Sequence, residues 1–212
     1  MNDRLKTIVD LNKYPIQDLN SPILKKLIER CKKELDEDSC SKIPNFILPK
    51  SLEIMNLELE KRLDQVYMSK EKINAYLYAK DDPTLSKDHP KRNFMDRYNG
   101  YLNSDCFQKN SEMKYLYETE ELLNFVSACL GVSPIYRWAD PLACHAYNVM
   151  KPSGTLPWHF DSCEFTLSLM IQKPENGGIF EYCPNIRGPG NENFDEVKKI
   201  LNGDRARVKQ LD

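Results

Sequence analysis

The feature that most restricts the fold is a change of hydrophobic period near Ile135. Before it, apolar residues recur at helical spacing. Asn20-Ser21-Pro22 reads as a cap followed by proline in the first helical turn, and Ile23, Leu24, Leu27, Ile28, Cys31 and Leu35 then line one face. After Pro49, the residues Leu52, Ile54, Met55, Leu57, Leu59 and Leu63 predict a second helix, and Tyr115 to Leu130 a third that ends at Gly131. The polar, proline-bearing stretch from Asp81 to Asn103 reads as a long loop. After Ile135 the period shortens: Tyr136–Trp138, Cys144–Met150, Phe165–Gln172 and Ile179–Tyr182 are short β-type segments between turn-forming clusters. Phe194 to Leu201, acidic at its start and lysine-bearing at its end, predicts one late helix stopping at Asn202-Gly203. The fold class expected is α+β, with a mainly helical region over 1–134 packed on a sandwich, jelly-roll or barrel core over 135–212.

Composition narrows the partners. Thirty basic and thirty-two acidic side chains leave a formal charge of -2, so no basic excess argues for nucleic acid or an anionic membrane. Hydrophobic residues at 41% and charged residues at 29% are ordinary globular usage, which excludes disorder as the starting assumption. The N-terminus lacks the apolar run of a signal peptide, and no stretch is long enough to span a bilayer. Seven scattered cysteines without a C-x-x-C pair predict free, mostly buried thiols in a reducing, cytoplasmic setting.

The chemistry concentrates in Thr155-Leu-Pro-Trp-His159-Phe-Asp161. On an extended segment alternate side chains share a face, so His159 and Asp161 project together while Phe160 points away. An imidazole nitrogen and a carboxylate oxygen on one face supply two corners of the 2-His-1-carboxylate facial triad that suits non-haem Fe(II). The tripeptide alone is common and also occurs as a surface pair with no metal.

Its surroundings add to it. Ala139-Asp-Pro-Leu142, Asn148-Val-Met150, Trp158-His-Phe-Asp161, Gly177-Gly-Ile-Phe-Glu-Tyr182, Pro184-Asn-Ile-Arg187 and the run from Asn191 to Asp204 together resemble the Fe(II)/2-oxoglutarate-dependent oxygenase superfamily. The similarity is greatest to its branch of free-amino-acid hydroxylases and halogenases, and it covers the chain from about Ile135 onward. The resemblance implies a double-stranded β-helix, cupin-like core, with His159 and Asp161 as metal ligands and catalytic residues. It also implies Fe(2+), 2-oxoglutarate and O2 as cofactor and co-substrates, and hydroxylation of a small molecule such as a free amino acid. Halogenating members have a small residue in place of the carboxylate, leaving room for chloride; Asp161 fills that position here, which implies hydroxylation. On the same basis Tyr147 and Asn148 are candidates to hold the co-substrate, and Trp158 and Asp140, with Arg187, to meet the substrate. Packing explains Tyr147, Asn148 and Trp158 as well, and a turn aspartate before proline explains Asp140. Leu156 and Ser162, flanking the pair, are not the charged groups expected to grip a lysine-like side chain.

The chain departs from the superfamily pattern in one respect. No histidine follows His159, so the second histidine and the basic residue that pairs with 2-oxoglutarate are missing. A truncated barrel, a natural short form without activity, and a ligand from elsewhere all account for this. His145 is the only nearby candidate, although a core or rim histidine is its more ordinary role. The expectation adopted is a barrel whose C-terminal part lies beyond Asp212. The alternative function is a non-catalytic, cupin-like binding protein that has lost its metal site. His89 is expected to be solvated in its polar loop.

Overall fold

The computed structural model describes residues 3–211 and divides into two compact units that interleave along the chain. The first comprises the residues up to Val66 together with Leu102–Tyr147, and the second Tyr67–Tyr101 together with the residues from Asn148 onward. The class is α+β: six α-helices and two small antiparallel sheets among the described residues, none of them closing into a barrel.

The first unit is helical. Its elements are α1 (Leu5–Ile8), α2 (Pro22–Asp38), α3 (Pro49–Glu60), α4 (Glu112–Glu118) and α5 (Glu120–Leu130). Proline occupies the first turn of both α2 and α3, where its missing N–H is not needed. Gly131 closes α5 at φ 69°, a left-handed cap that costs glycine little. The single helix expected over Tyr115–Leu130 is two. Thr119 breaks it by taking extended backbone (φ −72°, ψ 137°), and its hydroxyl donates to the Leu116 carbonyl at 2.8 Å. Leu24 and Cys31 of α2, Met55 of α3, Leu116 of α4, and Leu122, Phe125 and Cys129 of α5 are buried, as are Leu5, Ile8, Val9 and Ile16 before them. Tyr136–Trp138, expected as a strand, forms none. The Tyr117 hydroxyl accepts the Trp138 amide at 2.8 Å, and Arg137 Nε donates to the Tyr117 carbonyl at 2.9 Å. Side-chain bonds to α4 thus stand in for a ladder.

The second unit carries the sheets. Strand β1 (Tyr67–Ile73) pairs antiparallel with β2 (Met95–Leu102), Tyr67 opposite Tyr101 and Ile73 opposite Met95. The short β3 (Tyr147–Val149) is the third strand, in the order β1-β2-β3. The loop expected over Asp81–Asn103 is therefore corrected: its second half is a strand, because β1 supplies a partner that local polarity does not reveal. Strand β4 (Phe180–Tyr182) pairs with β5 (Lys209–Leu211). Helix α6 runs over Phe194–Leu201 as its charge pattern predicts. Ile186 joins Val197 and Ile200 of α6 in a small core on which Trp158, Phe160, Cys183 and Val208 pack. The expected strand over Phe165–Gln172 does not form. It enters no strand or bridge among the described residues, and Phe165, Leu167 and Met170 stand 39%, 62% and 56% exposed.

Of the seven thiols, all free, only Cys31 and Cys129 are buried; Cys163 is exposed and the rest are half-buried. The expectation of mostly buried thiols is corrected accordingly. No helix among the described residues is long and apolar enough to cross a membrane.

Candidate functional site

The H-x-D segment is tied down on both sides within the second unit and bends at Trp158. At its start, Thr155 and Tyr98 exchange two backbone hydrogen bonds of 2.8 Å, tying the segment to β2. Gly154 makes this approach possible, since a Cβ there would lie 2.8 Å from the Lys151 carbonyl oxygen and 3.2 Å from that of Tyr98. Further on, the Phe160 amide donates to the Ala75 carbonyl at 2.8 Å.

Between these anchors the side chains alternate. Phe160 turns onto the Ile186, Val197 and Ile200 core, its ring 5.2 Å from that of Tyr76 and 3.9 Å below the Arg187 guanidinium. His159 and Asp161 turn the other way and converge: His159 Nε2 lies 3.4 Å from Asp161 Oδ1. The imidazole is 25% exposed and the carboxylate 50%.

Each member is oriented by a neighbour. His159 Nδ1 sits 2.8 Å from the Pro157 carbonyl oxygen, which can only accept, so Nδ1 carries the hydrogen. In the neutral ring Nε2 then presents a lone pair toward Asp161. Asp161 Oδ2 accepts from the Thr166 hydroxyl at 2.6 Å, leaving Oδ1 toward the imidazole. Two lone-pair atoms facing each other at this distance repel unless positive charge lies between or beside them, either a proton on Nε2 or a metal cation. Donors about 2.1 Å from a first-row ion at right angles stand about 3 Å apart, so the pair fits two adjacent coordination positions after a small closure. Among the described residues no group of three His, Cys, Asp or Glu side chains is arranged to hold a metal ion, so the fit extends to two protein ligands.

The pair lines an open cleft of about 230 Å³ with Arg97, Tyr101, Asn148, Leu156 and Cys163. Arg97 is positioned through a relay: its Nε donates to Asn99 Oδ1 at 2.8 Å, and Asn99 Nδ2 donates to Asn148 Oδ1 at 3.0 Å. Asn99 is fully buried, and the Arg97 guanidinium lies over the Tyr101 ring and 3.6 Å from Glu71. Arg97 and Asn99 were not singled out in the sequence because β2 reads there as loop. The signal present was Tyr98, Tyr101 and Leu102, β-formers directly after a proline-rich stretch.

The other candidates fall in several places. Asn148 is on the cleft. Tyr147, in the first unit, is buried with its ring stacked 4.7 Å from Phe107; burial pushes its hydroxyl pKa up, and the hydroxyl has no hydrogen-bond partner among the described residues. Trp158 packs on the α6 core with the Arg205 guanidinium 5.8 Å from its ring. Asp140 Oδ1 accepts the Leu142 amide at 2.8 Å, the self-contained turn that an aspartate before proline favours. Arg187 covers Phe160 and lies 3.4 Å from Glu192. His145 is buried in the first unit. Its amide donates to the Ser104 hydroxyl at 2.9 Å, Nε2 has no partner among the described residues, and burial holds its pKa below the ordinary imidazole value. His89 is half-buried rather than solvated, its ring 4.5 Å from Phe194 and its Nδ1 accepting the Lys91 amide at 3.1 Å.

No protein-family model and no curated protein matches this chain.

Proposed function

We propose that this chain is an Fe(II)/2-oxoglutarate-dependent oxygenase acting as a hydroxylase of a small molecule, with His159 and Asp161 as two protein ligands of the iron and the strands of the second unit as part of a double-stranded β-helix. The observation that carries the reading is the convergence of His159 Nε2 and Asp161 Oδ1 at 3.4 Å, with Nδ1 turned away onto Pro157. It is the orientation that metal-binding histidines take when a carbonyl fixes their tautomer.

The residues of the cleft divide the work. Pro157 and Thr166 hold the two donors in place. Arg97 brings a cationic, hydrogen-bonding group to the same cleft, suited to a carboxylate of co-substrate or substrate. Leu156 gives the cleft an apolar wall, against which a substrate carbon chain can lie. Ferrous iron with 2-oxoglutarate and dioxygen would supply the oxidising power to hydroxylate an unactivated C–H bond. A free amino acid is the substrate class proposed, on the sequence resemblance, and a cytoplasmic location goes with it.

A second reading, a non-catalytic cupin-like binding protein, is favoured by one fact: no third metal-binding side chain joins the pair among the described residues. The two readings part in one assay. The protein is incubated with Fe(II), 2-oxoglutarate and a panel of amino acids, and succinate is measured. The oxygenase reading expects succinate release that Asp161→Ala abolishes. Release that is unchanged by this substitution, or no release at all, favours the binding protein.

A further inference from the structure

Asn99 is a polar side chain where a strand ordinarily buries an apolar one. It is fully buried on β2, on the face it shares with Arg97 and Tyr101. Burying an amide is costly unless its polar ends are hydrogen-bonded, and here both are. Arg97 Nε donates to Asn99 Oδ1 at 2.8 Å, and Asn99 Nδ2 donates to Asn148 Oδ1 at 3.0 Å. The direction of this chain is fixed at its start. A guanidinium can only donate, so the Asn99 oxygen faces Arg97 and its NH2 faces Asn148. Asn148 then offers its oxygen, which leaves its own NH2 unused by Asn99, and Asn148 lines the cleft. Arg97, on the same cleft, keeps its two terminal nitrogens, one of them 3.6 Å from the Glu71 carboxylate, an ion pair longer than a hydrogen bond.

We propose that Asn99 is a positioning residue for a carboxylate subsite, in which the Arg97 guanidinium and the Asn148 NH2 together bind one carboxylate of the co-substrate or of the substrate. The identity of that ligand rests on the oxygenase reading above. With Nε tied to Asn99, the arginine loses its side-chain freedom on folding rather than on binding, so a ligand meets a fork already in place. A fixed fork and a fixed amide donor match the two oxygens of one carboxylate. Glu71 competes for the same guanidinium but stands 42% exposed, so an incoming carboxylate displaces it at little cost. An apolar side chain at position 99 would pack in the strand, but it would leave Arg97 and Asn148 unaligned.

The test uses the full chain, isotope-labelled on nitrogen, with the Arg97 Nε–H resonance as reporter, assigned by its loss in Arg97→Gln. One arm is titrated with 2-oxoglutarate and the other with each common L-amino acid, with and without Zn(II) as a diamagnetic stand-in for iron. The expected result is a saturable shift in one arm, which also tells co-substrate from substrate. Asn99→Asp keeps an acceptor for Arg97, but it turns an oxygen toward that of Asn148 and offsets the arginine charge. It should retain the reporter resonance and bind at least about tenfold more weakly. Glu71→Gln, which removes the competing acid, should bind about twofold or more tightly. Silence in every arm overturns the proposal, as does Asn99→Asp binding as tightly as the unaltered chain. If Asn99→Asp does not fold, Asn148→Ala, at the exposed end of the relay, decides in the same way. A shift that is equal with and without Zn(II) upholds the subsite and tells against the metal reading, so the two fail separately.

Discussion

The two units organise similar amounts of chain in different ways. The first buries Leu5 and Ile8 of α1, Leu24 of α2, Met55 of α3, Leu116 of α4 and Leu122 and Phe125 of α5. The second rests on Ile73 and Ala75 and on the Ile186, Val197 and Ile200 cluster, and leaves Leu167, Met170, Ile179 and Phe180 in solvent. As in the first unit, ion pairs at the surface, here Lys198 with Asp88 and Arg205 with Glu181, add to these contacts. Such ion pairs gain little in water and are screened by salt. With more of its apolar side chains fully buried, the helical unit is expected to contribute more to stability, whereas the candidate site lies on the second unit.

Substitutions can break this contrast. The largest effect is expected from Leu24→Ala, which empties a fully buried position of α2 and should cost about 2–5 kcal/mol by denaturant unfolding. A loss under 1 kcal/mol would mean that the helical core is not the stabilising part. Gly131→Ala forces a Cβ into left-handed backbone at the end of α5 and should cost about 1–2 kcal/mol in the same measurement. Tyr147→Phe sharpens the comparison in the other direction. It removes a buried hydroxyl without a hydrogen-bond partner and should raise stability by about 1 kcal/mol; a decrease would show that the hydroxyl is satisfied after all.

His145 gives the first unit a pH dependence. Burial holds its folded pKa below the unfolded value of about 6.5, so on acidification the unfolded chain takes up the proton first. Its contribution is present above that value and is lost as pH falls through the window between the two. His145→Gln should flatten the midpoint-versus-pH curve there. The smallest effect is expected in the second unit: Leu167→Ala, at a mostly exposed position, should change stability by no more than about 0.5 kcal/mol.

How much of this was legible in the sequence follows the range of the forces involved. Pro22, Pro49 and Gly131 mark helix ends through local backbone rules and were readable. So was α6, from its charge pattern. The alternation around Phe160 was equally local, and it placed His159 and Asp161 on one face, as the 3.4 Å separation shows. Pairing across distance was not readable. Strand β2 exists because β1 lies beside it, so Arg97 and Asn99 escaped notice. Conversely, Phe165–Gln172 has strand composition but joins no ladder among the described residues and stays irregular. Thr119 splits an apolar run that looks continuous in sequence.

The central claim is that the imidazole and carboxylate of the H-x-D segment grip one cation together. Anaerobic equilibrium dialysis of Fe(II) against the unaltered chain, His159→Ala and Asp161→Ala tests it most directly. The account predicts one equivalent bound by the unaltered chain in the presence of 2-oxoglutarate, and a loss of affinity of at least about tenfold in either variant. Equal binding by all three proteins, or none by the unaltered chain, would contradict it, and the pair would then be a proton-bridged histidine and aspartate on an open cleft.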